Sequence, residues 1–150
     1  RERKLSDFTY IDNLIDALLL ADEALAKKPD EVNGEAFFIT NGEPMGFWDF
    51  VGDVLAEMKL PPIRAAMPYH IAYAAAAVAE GIDALRGGKL GTANGLSRFA
   101  VKYMCTHHYF SIEKARRVLG YEPKVSVREG ITRTIATWPA EEKAPARKSA

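Results

Sequence analysis

Apolar residues in this chain recur at the period of a helix far more often than at that of a strand. Ile11, Leu14, Ile15, Leu18 and Leu25 fall at helical spacing with Leu19 beside them, while Asp12, Asp16, Asp22 and Glu23 sit mainly on the other side. Such a pattern buries one stripe of a helix and leaves the charged side in water. It predicts a helix from about Tyr10 to Lys27, with Thr9 or Asp12 satisfying the first amides, Lys27 and Lys28 suiting the carbonyl end, and Pro29 stopping it. Phe47, Phe50, Val51, Val54, Leu55 and Met58 repeat the spacing ahead of Pro61-Pro62. Ile71, Ala74, Ala75, Val78, Ile82 and Leu85 repeat it again as the expected buried face of an alanine-rich helix, closed by Gly87-Gly88.

Shorter helices are expected over Leu96 to Met104, with Leu96, Phe99, Ala100 and Tyr103 inward, and after Ser111, with Ile112, Ala115, Val118 and Leu119 inward and Gly120 as the stop. Ser126-Val127-Arg128-Glu129 has the form of a capping box, in which hydroxyl and carboxylate each cover an orphan amide. Val127, Ile131, Ile135 and Trp138 follow on one face. Two runs read as short strands, one near 36–39 between turn residues and one near 63–67 ahead of Pro68. A complete nucleotide-binding sheet alternates strands and helices several times. This chain does not, and reads as the second half of an α/β protein, with residues 139–150 a disordered tail.

The 20 basic and 20 acidic side chains cancel, so no global field draws the chain to nucleic acid. Cys105 is the single cysteine, which excludes an internal disulfide and fits a reducing compartment. The first methionine is Met45 and the opening Arg1-Glu2-Arg3-Lys4 leads into no apolar stretch, so the chain is expected to be a segment of a longer protein. Tyr69 to Leu85 carries His70, Glu80 and Asp83, and reads as a buried or interfacial helix, not a membrane span.

The glycines from Gly87 to Gly95 follow a helix where a phosphate-binding turn follows a strand, so they read as a cap and a loop. Cys105-Thr106-His107-His108 offers too few partners for a metal site, since His70 is the only other histidine. A thiol nucleophile at Cys105 needs an activating setting that one short spacing does not establish. Arg98, Lys102, His107, His108, Lys114, Arg116 and Arg117 form either a solvated face or an anion-facing pocket with Arg98 foremost, because guanidinium grips carboxylates bidentately. Met45, Phe47 and Trp48 are core packing or the rim of a pocket.

Three blocks in order resemble a known family. Asp7-Phe8-Thr9-Tyr10-Ile11-Asp12-Asn13, running on to Ala21, is similar to the tyrosine–valine–aspartate–asparagine segment of extended short-chain dehydrogenases. Gly34 to Pro44 followed by Phe47-Trp48-Asp49-Phe50 looks like the next block of their 3β-hydroxysteroid dehydrogenase branch, most similar to the sterol-4α-carboxylate 3-dehydrogenases (decarboxylating). Tyr109 to Ala115, then Leu119-Gly120-Tyr121-Glu122-Pro123 and Glu129-Gly130, resembles the C-terminal signature. The family's catalytic Tyr-x-x-x-Lys is absent: Tyr121 meets Lys124 three positions on, and no other tyrosine has a lysine four on.

The resemblance implies that residues 1–138 are the C-terminal, mainly helical substrate-binding part of an extended NAD(P)-binding Rossmann-type α/β fold. NAD or NADP would serve the full-length parent and none this chain alone, which is expected to be inactive. No catalytic, cofactor-binding or metal residue is assigned; Met45, Phe47, Trp48, Arg98 and His107 are the substrate-binding candidates. The implied reaction oxidises the 3β-hydroxyl of a 4-carboxysterol with loss of carbon dioxide. A sterol-like substrate, peripheral membrane association, a homodimer of the parent, and the cytoplasmic face of the endoplasmic reticulum or a lipid droplet go with it. The alternatives are a relative acting on a nucleotide sugar or flavonoid-like alcohol, and a non-enzymatic truncation that binds a lipid or partner.

Overall fold

Residues 4–64, 67–88 and 97–139 are described by the computed structural model, which divides into two compact units, Leu5–Pro62 with His108–Ala150 and Arg1–Lys4 with Ile63–His107. In the larger unit, the long helix α1 (Ile11–Lys27) has no glycine or proline in its interior. It ends where the Lys28 amide donates to Ala24 O, and Pro29 opens the short helix α2 (Pro29–Val32), where a missing N–H costs nothing. Two residues of strand follow each other antiparallel, β1 (Leu5–Ser6) and β2 (Met45–Gly46), with Leu5 opposite Gly46 and Ser6 opposite Met45. The unit is completed by α3 (Phe47–Glu57), α6 (Glu113–Leu119) and α7 (Val127–Thr137). Gly120 takes the left-handed conformation (φ 71°) that closes α6 and that a Cβ would strain.

Two apolar clusters hold this unit. Ala17, Ala24, Val32, Ile112, Ala115, Leu119 and Tyr121 form one, with Leu20, Ala21, Phe37, Ile39 and Val118 against it. Val127, Ile131 and Ile135 form the other, with Phe8, Met45, Phe50, Val54 and Met58. The helices α3, α6 and α7 thus present the faces their spacing predicts, except that Trp138 stays exposed.

α1 does not. Its buried residues are Asn13, Ala17 and Ala24, whereas Ile11, Ile15, Leu18, Leu19 and Leu25 are exposed. Periodicity shows that a stripe exists but not what covers it; here the small residues turn inward, letting α1 approach α6 closely. Its N-cap is Tyr10 without a side-chain cap, so neither Thr9 nor Asp12 plays the expected part. The Thr9 hydroxyl instead donates to Ile39 O, and Asn41 Oδ1 accepts from the Tyr10 amide.

Residues 36–39 are extended but form no strand. Phe37 and Ile39 point into the core while Phe38 stacks outside on Phe110 at 4.4 Å. No neighbouring strand is available; side chains serve the backbone instead, with Lys114 Nζ donating to Ala36 O, Thr9 to Ile39 O and the Tyr121 hydroxyl to Thr40 O. At 63–67, residues 63, 64 and 67 are likewise not strand, and 65–66 lie outside the described residues.

The smaller unit pairs α4 (Tyr69–Leu85) with α5 (Arg98–Met104). Ser97 Oγ accepts from the Ala100 amide and caps α5, so the helix begins after it; the predicted start at Leu96 lies outside the described residues, as do the loop at 89–95 and the tail from 140. Only Ala76 of α4 is buried. The predicted inward residues Ile71, Ala74, Ala75, Val78, Ile82 and Leu85 are exposed, as are Phe99 and Tyr103, while Val101 is buried in α5. A seven-residue partner covers one side of a seventeen-residue helix and no more. Among the described residues no helix is long and apolar enough to cross a membrane.

Candidate functional site

The larger unit carries an apolar groove of about 340 Å³, within the range of small-molecule sites. Phe8, Phe50 and Val54 form one wall and Val127, Ile131, Ile135 and Trp138 another, with Thr9, Tyr10, Gly130 and Thr134 between them. Phe8 and Phe50 stack with centroids 3.7 Å apart and planes 6° off parallel. The Tyr10 ring lies so close to Gly130 that a Cβ there would sit 2.8 Å from it, which is why this helical position lacks a side chain. The lining contains no lysine or arginine.

Three polar residues outside the groove fix its ends. Asn13, 1% exposed, donates through Nδ2 to Asn41 Oδ1 (2.8 Å) and Val125 O (2.7 Å), and accepts from the Lys124 and Val125 amides at Oδ1. Asn41 also donates to Val125 O at 2.9 Å. Glu43 accepts from the Val127 amide at 3.0 Å, placing a carboxylate at the positive end of α7. Sequence reasoning missed all three as organisers, since a polar residue at helical or turn spacing reads as solvent-facing.

Of the expected substrate contacts, Met45 packs on the Val127 cluster. Phe47 and the exposed Trp48 meet edge to face at 5.2 Å in the first turn of α3, and none of the three lines the groove. Arg98 and His107 belong to the smaller unit. Arg98 Nε donates to Glu80 Oε2 at 2.6 Å and its backbone amide to Oε1 at 2.7 Å. The Arg98 amide and guanidinium together hold the Glu80 carboxyl below its ordinary range, and Glu80 in turn raises Arg98. His107 Nε2 lies 3.4 Å from Lys4 Nζ.

Much of the basic run is paired: Lys114 with Glu35, and Arg116 with Glu113 and Glu122. Cys105 is exposed, and among the described residues no three histidine, cysteine or acidic side chains gather as a metal site would need. Nor do the described residues suit a dinucleotide, whose pyrophosphate needs a strand, a glycine turn and a helix N-terminus in succession. The sheet among them is a two-stranded antiparallel ladder.

Residues 1–68 match the sequence model of the 3-beta hydroxysteroid dehydrogenase/isomerase family. The chain is 39% identical over 140 residues to a sterol-4-alpha-carboxylate 3-dehydrogenase, decarboxylating, of Schizosaccharomyces pombe, which covers 93% of this chain and 40% of the relative. It is 40% identical over 131 residues to a 2-alkyl-3-oxoalkanoate reductase of Stenotrophomonas maltophilia, covering 87% of this chain and 39% of the relative. With the sterol-4-alpha-carboxylate 3-dehydrogenase of Mus musculus it shares 31% over 134 residues, 89% of this chain and 37% of the relative. The chain thus spans about two fifths of the length of these curated relatives. No solved structure matches it. On the match over residues 1–68 and on alignments along about nine tenths of its length, the chain belongs to the 3-beta hydroxysteroid dehydrogenase/isomerase family.

Proposed function

We propose that the chain is the C-terminal, mainly helical substrate-side part of a Rossmann-type NAD(P)-dependent dehydrogenase, and that its substrate is an apolar skeleton bearing a carboxylate beside an oxygenated carbon. The observation that carries this is the shared chemistry of the relatives' names. One sets a carboxylate on carbon 4 next to the oxidised carbon 3; the other is an alkanoate with its oxo group on carbon 3. Both are acids with oxygen at the β position. Oxidation of a 3-hydroxyl there leaves a β-keto acid, and the bond to the carboxylate then breaks with its electrons spread into the ketone, releasing carbon dioxide.

A 4-carboxysterol is the leading substrate. The apolar groove suits a flat hydrocarbon skeleton, and its lack of cationic lining argues against the diphosphate of a nucleotide sugar. Met45, Phe47 and Trp48 offer apolar and aromatic surface for such a skeleton; Arg98 and His107 offer cationic chemistry for a carboxylate, and Arg98 already grips one in Glu80. Cofactor binding is assigned to sequence outside these 150 residues. Homodimerisation and work at the cytoplasmic face of the endoplasmic reticulum or a lipid droplet belong to the same proposal. A shorter open-chain β-oxygenated acid is the second reading, favoured by the reductase relative at 40% identity.

The test uses the two tryptophans, of which Trp138 lines the groove. A Trp48→Phe chain titrated with a 4α-carboxysterol should show saturable quenching of Trp138, about tenfold weaker with the decarboxylated sterol. Stronger quenching by a 2-alkyl-3-hydroxyalkanoate would select the second reading. No saturable change with either acid overturns both.

A further inference from the structure

The outward face of α4 is built unlike the rest of the surface. At 3.6 residues per turn, Ile71, Val78, Ile82 and Leu85 fall on the side of the helix opposite Ala76, the residue buried in the smaller unit. Leu85 is 90% exposed. The acids of α4, Glu80 and Asp83, fall on the Ala76 side, and Glu80 is held there by Arg98. The exposed stripe therefore carries no carboxylate. Phe99, 76% exposed, and Tyr103 add aromatic surface from α5.

Charge selects what this face meets. The described residues of the smaller unit contain five cations (Lys4, Arg64, Arg86, Arg98, Lys102) against the two acids Glu80 and Asp83. Those of the larger unit contain nine cations against fifteen acids. The neutral whole thus conceals a basic apolar unit beside an acidic one. A second copy seated on α4 would bring two basic units together, which like-charge repulsion opposes. An anionic lipid surface attracts the same charge and accepts the apolar stripe. We infer that α4 lies along an anionic membrane surface with Ile71, Val78, Ile82 and Leu85 toward the lipid. Seventeen residues with this distribution lie in the interface and do not cross it. The inference does not depend on the dehydrogenase reading, and its test involves no substrate.

The test is flotation of the full chain with phosphatidylcholine vesicles, with and without about 30 mol% phosphatidylserine. The chain should float with the anionic vesicles and stay behind with the neutral ones, and raising salt from about 0.1 M to about 0.5 M should release it. Val78→Asp with Leu85→Asp should weaken binding at least about tenfold with helix content by circular dichroism unchanged, because both side chains are exposed. Leu18→Asp, an exposed apolar residue of the acidic unit, should leave binding intact. Equal binding to neutral vesicles, no binding to anionic ones, or an equal loss from Leu18→Asp overturns the inference. So does a salt-resistant dimer by sedimentation that the α4 substitutions dissolve, since that would make α4 a seat for a second copy.

Discussion

A single buried amide, Asn13, fastens the start of α1 to two segments that lie 28 and 112 residues away in the chain. All of its hydrogen-bonding groups are used, and replacing it leaves the Lys124 and Val125 amides and part of Asn41 without partners in the core. Asn13→Leu should cost about 3 kcal/mol in urea unfolding, several unsatisfied groups each contributing 1–3 kcal/mol less whatever relaxation recovers. The helical period could not have found it, because nothing local distinguishes a buried asparagine from a wet one. Tyr121 is a milder case: its hydroxyl donates to Thr40 O at 2.9 Å, and Tyr121→Phe should cost about 1 kcal/mol. Burial first, and Asp16 second, raise the Tyr121 phenol above its ordinary range. The folded state therefore holds this proton more tightly than the unfolded one, whose tyrosine titrates near about 10. Its contribution is intact below that pH and is lost as pH rises through the folded value. Unfolding curves should show a fall in stability above about pH 10 that Tyr121→Phe reduces; an unchanged fall would assign it to other groups.

At the scale of elements, most helices were legible and their partners were not. The capping box at Ser126 shows the difference. Ser126 Oγ accepts from the Glu129 amide as the motif requires, but the Glu129 carboxylate turns to Arg133 Nη2 at 2.6 Å, and Glu43, far off in sequence, serves the Val127 amide. Ser126→Ala should therefore cost about 1 kcal/mol. Glu129→Ala should cost only a few tenths, the worth of an exposed i,i+4 pair. Equal losses in thermal unfolding would mean that the reciprocal box forms after all. Residues 36–39 make the complementary point. Alternation of Phe37 and Ile39 inward with Phe38 outward is strand-like and was readable, yet a ladder needs a neighbour, and side chains took that role.

Across the whole molecule, the division into an acidic and a basic unit was written in the sequence but hidden by a net charge of zero. The groove was hidden for a different reason. Its walls come from residues 8–10, 50–54 and 127–138, and only the fold brings such separated stretches together. The resemblance, by contrast, was legible, because its three blocks each combine turn residues and aromatics in a fixed order. The most direct measurement is an oxidation assay on two proteins, this chain and the polypeptide encoded by the uninterrupted reading frame around it. Each is given a 4α-carboxysterol with NAD or NADP, and both reduced cofactor and carbon dioxide are followed. The expected result is equimolar reduced cofactor and carbon dioxide from the longer polypeptide and neither from the chain alone. Turnover by the 150-residue chain itself, or none by a longer polypeptide that contains a Tyr-x-x-x-Lys and binds the sterol, would contradict it.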